Sequence, residues 1–257
     1  MESTASSLPK TAPPPGGADK VLRHRWPTRV WHWLNALVVA VMLMSGLMIF
    51  NAHPRLYWGR YGANPDPAWL DLEKVNNGIP FPGWITLPST YSLADARLWH
   101  LAFAWPLAAG LFGYLGWALL SGHLRRGILP ARGELAPTHL WHDLRDHARL
   151  RFPRGAAAQH YNTLQKLAYG AVLLVLLPAM VLTGLAMSPA IDAAFPWLVD
   201  LLAGRQSARS LHFLCAGALV LFFLVHVAMV LLAGPVNEVR AMLSGWYRLP
   251  PVRGDRA

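Results

Sequence analysis

Four stretches of the chain carry no Asp, Glu, Lys or Arg: Val30–Asn51, Leu98–Leu124, Leu167–Ile191 and Ser210–Val236. Each exceeds the roughly 20 residues that a helix needs to cross a hydrocarbon layer. They predict four membrane-spanning helices at about 30–50, 98–121, 163–188 and 210–232. Polar segments separate them: an outer loop over 51–94, a second loop over 121–160 and a short third, Ser188 to Arg209. The fold class read from this pattern is an all-α membrane protein, a four-transmembrane-helix bundle over 24–235.

The flanks read differently. Residues 1–23 hold Pro9, Pro13, Pro14, Pro15, Gly16 and Gly17 with no apolar block. That predicts a disordered tail rather than a cleavable signal, so the first span would serve as its own targeting signal. Residues 236–257 form a basic tail in which Trp246 and Tyr247 suit a membrane interface.

Composition agrees with lipid burial, since 54% of residues are hydrophobic and only 14% charged, too few to cover a soluble domain of 257 residues. The net charge of +10 raises nucleic acid as a partner. Its distribution removes that idea. Basic residues crowd the amino-terminal flank (Lys20, Arg23, Arg25, Arg29), the 121–160 loop (Arg125, Arg126, Arg132, Arg145, Arg149) and the carboxy-terminal flank. The other two loops carry fewer. This is the positive-inside pattern, and it puts both termini in the cytoplasm. The single cysteine, Cys215, excludes an internal disulfide, covalent haem attachment and an iron–sulfur ligand set; it reads as a packing residue.

Two loops have competing readings. The outer loop carries Pro54, Pro65, Pro67, Pro80, Pro82 and Pro88 with Trp58, Trp69 and Trp84. It is expected to be an ordered cap offering a docking surface, the alternative being an interfacial lid without a partner. In the 121–160 loop, His139 and His142 with Asp143 and Asp146 would make either a metal site or one face of an amphipathic surface helix, THLWHDLRDHARLRF. The surface helix is the expectation. Small residues are also placed suggestively. Gly46 forms a notch for a helix or flat ligand, Gly110, Gly113 and Gly116 line a groove, and Pro106 sits mid-span.

The chemistry lies in four histidines, the groups within the apolar spans that titrate near neutral pH: His32, His100, His212 and His226. His212 and His226 are fourteen residues apart, within about 40° of four full helical turns, so they leave one helix face about 21 Å apart. Topology then pairs them by depth. Span one rises from the cytoplasm and spans two and four descend, so His32 meets His226 at the inner side and His100 meets His212 at the outer. Two neutral imidazoles at matched depth are the axial ligand set of a six-coordinate b-type haem. The expected cofactors are two haem b groups. Arg29, Arg97 and Arg209 each stand three residues before a ligand, on the same face, as candidates for pairing haem propionates.

The motif RVWHWLNAL in span one, the histidine opening span two and the fourteen-residue spacing in span four carry a family resemblance. Over about residues 24–235 the chain resembles the di-haem cytochrome b subunits of nickel–iron hydrogenases and formate dehydrogenases, within the bacterial cytochrome b561 superfamily. The resemblance implies a multi-pass protein of the bacterial inner membrane that passes electrons between the quinone pool and a catalytic subunit on the periplasmic face. It likewise implies His32 and His226 on the inner haem, and His100 and His212 on the outer. The segments NAHPRLYWGRYG, FPGWITLPSTYS and HYNTLQKLAYG are more similar to the cytochrome b partners of periplasmic molybdopterin oxidoreductases.

A quinone site is expected beside the inner haem, where Asn35, His160, Asn162, Gln165 and Lys166 could bond a quinone carbonyl; the competing role for the last four is to cap span three. Three functions follow from these readings. The first is an electron-transfer subunit docked to a periplasmic oxidoreductase, with quinone and the lipid bilayer as its other partners. The second is a self-contained enzyme oxidising superoxide or another small donor, and the third a non-redox scaffold or transporter.

Overall fold

A computed structural model of the chain describes residues 20–151 and 161–249. It is mostly helical. A short strand, β1 (Lys20–Leu22), precedes α1 (Trp26–Asn51), which is span one. The long loop follows, with a two-residue hairpin of β2 (Arg55–Leu56) and β3 (Leu70–Asp71). Span two is α2 (Leu93–Leu120), and α3 (Pro137–Ala148) lies in the second loop. Span three is built from α4 (Thr163–Ala171) and α5 (Leu177–Ala186), joined by a π-helical turn, Val172–Leu176. Two short helices, α6 (Pro189–Ala194) and α7 (Trp197–Leu201), lead to span four, α8 (Arg205–Ala233). Helix α9 (Pro235–Ser244) and β4 (Trp246–Arg248) complete the described chain.

The helix ends have local causes. Pro27 sits in the first turn of α1, where its missing N–H costs nothing. The Ser92 hydroxyl caps α2 by accepting the Asp95 N–H at 3.3 Å. Asn162 and Gln165 form a reciprocal capping box at the start of α4. Gly234, at φ +114°, ends α8, and Pro235 starts the next helix at once. The π turn in span three comes just before Pro178, which can donate no hydrogen bond back into the preceding turn. By contrast α2 runs unbroken through Pro106.

Spans one, two and three share the main core. Val38 and Met42 pack with Leu107, Leu111, Tyr114 and Ala118, and with Leu173 and Leu177 from span three. Trp31 stacks on Tyr114 with ring centres 4.3 Å apart. Span four differs: from Leu211 to Ala233 no residue is buried within the chain. It packs along α5, and the face carrying its two histidines turns towards spans one and two.

Each end of the bundle is closed by ordered chain. At the end where the described chain begins and finishes, β1 pairs antiparallel with β4, so residues 20–22 are ordered although the expected tail runs to residue 23. Arg23 bonds Glu238 at 3.2 Å and lies over the Tyr247 ring at 4.5 Å. Arg29 donates to the Leu243 carbonyl, and Trp33 to that of Met242 at 3.3 Å. The remaining tail residues, 1–19 and 250–257, lie outside the described residues.

At the other end the long loop is an ordered cap clamped to the start of α8. Gly59 N–H donates to the Ser207 hydroxyl at 2.7 Å, and the Gly59 carbonyl accepts the N–H groups of Gln206 and Ser207. The Trp69 indole donates to the Ser210 hydroxyl at 2.9 Å, which in turn donates to the Tyr57 carbonyl at 2.6 Å. Gly204 is required here. Its φ is +113°, and a Cβ would stand 2.5 Å from the Gly59 carbonyl.

Candidate functional site

The depth pairing inferred from topology is the pairing found. His32 of α1 faces His226 of α8 with ring centres 6.3 Å apart, and His100 of α2 faces His212 of α8 at 6.2 Å. Simple geometry says what these separations suit. A five-membered ring with bonds near 1.35 Å places each corner about 1.15 Å from its centre. A metal–imidazole bond is about 2.0 Å. Two imidazoles on opposite sides of one metal therefore have ring centres about 6.3 Å apart. Both pairs fall on that value.

Among the described residues no cluster of three or more His, Cys, Asp or Glu could hold a bare metal ion. Two protein nitrogens suffice only when the other ligands come with the metal, as they do in a porphyrin. The donor chemistry thus fits haem. His139 and His142 do not converge: each pairs with a different carboxylate, Asp143 at 3.7 Å and Asp146 at 3.4 Å. Helix α3 is the surface helix expected, with Trp141 and Leu144 exposed.

The two pairs have different surroundings. In the pair nearer the loop cap, the Ser45 hydroxyl lies 3.0 Å from Nδ1 of His100, and the Thr183 hydroxyl 2.8 Å from Nδ1 of His212. The glycine after each hydroxyl residue lies against the same ring. A Cβ at Gly46 would be 3.4 Å from Cε1 of His100, and one at Gly184 3.6 Å from Cε1 of His212. The notch anticipated at Gly46 thus receives an imidazole edge. Of the proposed groove, Gly110 meets Trp31, whereas Gly113 and Gly116 face open space.

In the pair nearer the termini, Nδ1 of His32 is buried with no hydrogen-bond partner among the described residues. His226 stacks on Phe222 at 5.7 Å and meets Tyr169 edge-on at 6.3 Å. Just beyond lies buried His24, whose Nδ1 is 3.4 Å from the Tyr161 hydroxyl. Burial, with the Arg23 cation beside it, lowers the His24 pKa from 6.5 to about 4.

The three arginines are placed unequally. Arg97 is exposed at the start of α2. Arg209 donates to the carbonyls of His53 at 2.5 Å and Arg55 at 3.1 Å, tying the cap to α8. Arg29 is tied to α9 through the Leu243 carbonyl. A guanidinium has five donors, so these bonds leave N–H groups for a carboxylate.

The polar residues suggested for a quinone do not gather in one place. Asn35 lies between spans one and two, with Trp31, Val38, Pro106, Leu107 and Gly110. Asn162 and Gln165 use their side-chain oxygens on each other's backbone N–H groups, at 2.9 and 3.2 Å. The Asn162 amide nitrogen lies 3.1 Å from Nε2 of His147. Lys166 bonds Glu134 at 2.7 and 2.8 Å and lowers that carboxyl's pKa. His160 lies outside the described residues.

Ser45 and Thr183 are the residues that histidine counting misses. A signal does exist: Ser45-Gly46-Leu47 and Thr183-Gly184-Leu185 repeat one hydroxyl–glycine–leucine pattern late in spans one and three.

Comparison with known proteins agrees with this geometry. The profile of the family described as prokaryotic cytochrome b561 matches residues 23–245. A putative protein-methionine-sulfoxide reductase subunit YedZ1 from Azospira oryzae is 33% identical over 217 residues, covering 84% of this chain and 93% of that protein. A probable Ni/Fe-hydrogenase B-type cytochrome subunit from Azotobacter vinelandii is 26% identical over 250 residues, covering 89% of each. The protein of the same description from Cupriavidus necator is 24% identical over 233 residues, 86% of this chain and 84% of that one. No solved structure matches. The histidines that meet across the bundle, the four spans and the match along nearly the whole described chain lead to one conclusion: this is a multi-pass membrane b-type cytochrome of the prokaryotic cytochrome b561 family.

Proposed function

We propose that the chain is the two-haem membrane subunit of an oxidoreductase complex, carrying electrons between the quinone pool and a periplasmic catalytic subunit of the molybdopterin type. The observation that carries this reading is the ring separation of 6.3 and 6.2 Å in two pairs that share one helix. His32 and His226 would hold one haem, His100 and His212 the other. When bound, each haem supplies a one-electron couple; the chain's own residues ligate, orient and exclude water. With His32, His226, His100 and His212 all engaged in this way, the chain would hold both groups for electron transfer and not for binding oxygen. Arg29, Arg97 and Arg209 would offer N–H groups to the propionates.

The charge bias supports an orientation with the termini, α3 and α9 in the cytoplasm and the loop cap in the periplasm of a bacterial inner membrane. The His100–His212 haem would then face the catalytic partner. The cap there is ordered and presents Tyr61 and Trp84, which are 85% and 81% exposed. The name of the Azospira oryzae relative, a reductase subunit, supports a reductase partner here as well.

Quinone would exchange electrons at the cytoplasmic pair. The capping box uses the oxygens of Asn162 and Gln165, so their amide N–H groups are what a quinone carbonyl could engage. Asn35, deeper and against span two, would contribute only if the ring entered between those helices.

The test is redox titration of the purified chain with quinol as reductant, together with affinity purification from its native host. Two b-type components reducible by quinol, and a co-purifying periplasmic oxidoreductase, are expected. Turnover of superoxide by the isolated chain would point instead to a self-contained enzyme. Replacing Asn162 and Gln165 by Ala should slow quinol-linked haem reduction; an unchanged rate would remove them from the quinone site.

A further inference from the structure

Ser45 and Thr183 belong to helices that give no ligand to the haem between His100 and His212, yet each reaches one of those ligands. Both are buried, at 0% and 3% exposure. Their hydroxyl protons are already committed. Ser45 donates to the Val41 carbonyl at 2.7 Å, and Thr183 to the Ala179 carbonyl at 2.6 Å, each one helical turn back. A hydroxyl has one proton and two lone pairs. Towards the imidazole it can therefore only accept, and the ring nitrogen at 3.0 or 2.8 Å must carry the hydrogen.

We propose that Ser45 and Thr183 are positioning residues for the cap-side haem: their hydroxyls hold His100 and His212 as Nδ1–H tautomers, leaving Nε2 of each to ligate. Resting on the two-haem reading, this gives span three, which carries no haem ligand, a part in the site. Gly46 and Gly184 bring the two hydroxyl helices close enough for the contact. The relay also has an electronic consequence. An N–H···O–H···O=C chain polarises along its length and makes each imidazole a stronger donor, which favours oxidised iron. The pair near the termini has no such relay on His32, whose Nδ1 is unpartnered among the described residues.

The test is a spectroelectrochemical titration of the full chain carrying Ser45→Ala with Thr183→Val, beside Thr183→Ser and the wild type. The His32→Ala variant, which leaves the cap-side haem alone, identifies which potential is which. In the double variant the cap-side haem should become easier to reduce, by about three- to tenfold in the equilibrium, where tenfold is 59 mV for one electron. The other haem should not shift, and Thr183→Ser should titrate as wild type. Loss of the cap-side haem from the double variant but not from Thr183→Ser would equally support the hydroxyls' role. An unshifted potential with both haems present would overturn the proposal, as would Thr183→Ser behaving like the double variant. The haem-to-chain ratio of the wild type tests the two-haem reading separately: a ratio of two with unshifted potentials sinks only the relay.

Discussion

His24 shows how a single residue couples the packing beside the β1–β4 pair to pH. Its pKa is lowered from 6.5 to about 4, first by burial and then by Arg23. The unfolded chain takes up that proton as pH falls through 6.5, whereas the folded chain resists until about 4. Stability contributed by this residue is thus full above 6.5 and declines between 6.5 and 4, by roughly 3 kcal/mol at most. Thermal unfolding in detergent at pH 7 and pH 4.5 should show a smaller acid loss in His24→Gln than in the wild type. Equal losses would mean that His24 is not buried as a neutral ring. At the same scale the four histidines proposed as ligands were legible in the sequence because ionisable groups are expensive in lipid and stand out there. Ser45 and Thr183 were not, since a hydroxyl that bonds its own helix is tolerated in any apolar span and looks like packing.

At the scale of elements, the spans were readable from charge-free runs, but their ends were not. A charge-free window stops at the first Lys, Arg, Asp or Glu, while the helix continues beyond the hydrocarbon until its cap. So α8 starts at Arg205 and includes Arg209, and α2 starts at Leu93 behind the Ser92 cap. The loop cap makes a sharper prediction. Arg60 and Asp200 pair at 2.7 Å but are 63% and 56% exposed, so removing either should change stability by less than about 1 kcal/mol. Gly204→Ala instead places a Cβ 2.5 Å from the Gly59 carbonyl at φ +113°. It should lower stability by roughly 2 kcal/mol and open the cap to protease. Equal melting of the two variants would contradict the clamp. That this loop is ordered could be expected from its prolines and tryptophans, but the contacts that fix it could not, because hydrogen bonds such as Trp69 to Ser210 join residues 141 positions apart. The capping box at Asn162 makes a third comparison: Asn162→Ala should cost about 1 kcal/mol through lost helix capping, whatever happens to quinone.

For the whole molecule, charge and depth decide the account together. The basic segments flank one end of the bundle and the ordered cap the other, so a reporter enzyme active only in the periplasm should be silent when fused after residue 249 and active when inserted in the long loop. The reverse result would invert the two histidine pairs relative to the membrane without disturbing the pairing. That pairing was available from sequence alone, because His212 and His226 share one helix and topology leaves each a single partner at its depth. The ring separations add the metric test that sequence lacks.

The most direct measurement of that central claim is the haem content of purified wild-type, His212→Ala and His226→Ala chains, read by pyridine haemochrome against protein concentration. Two haems per chain in the wild type and one in each variant are predicted, with different α-band positions or potentials for the haem that remains. A single haem in the wild type, or two retained after either substitution, would contradict it.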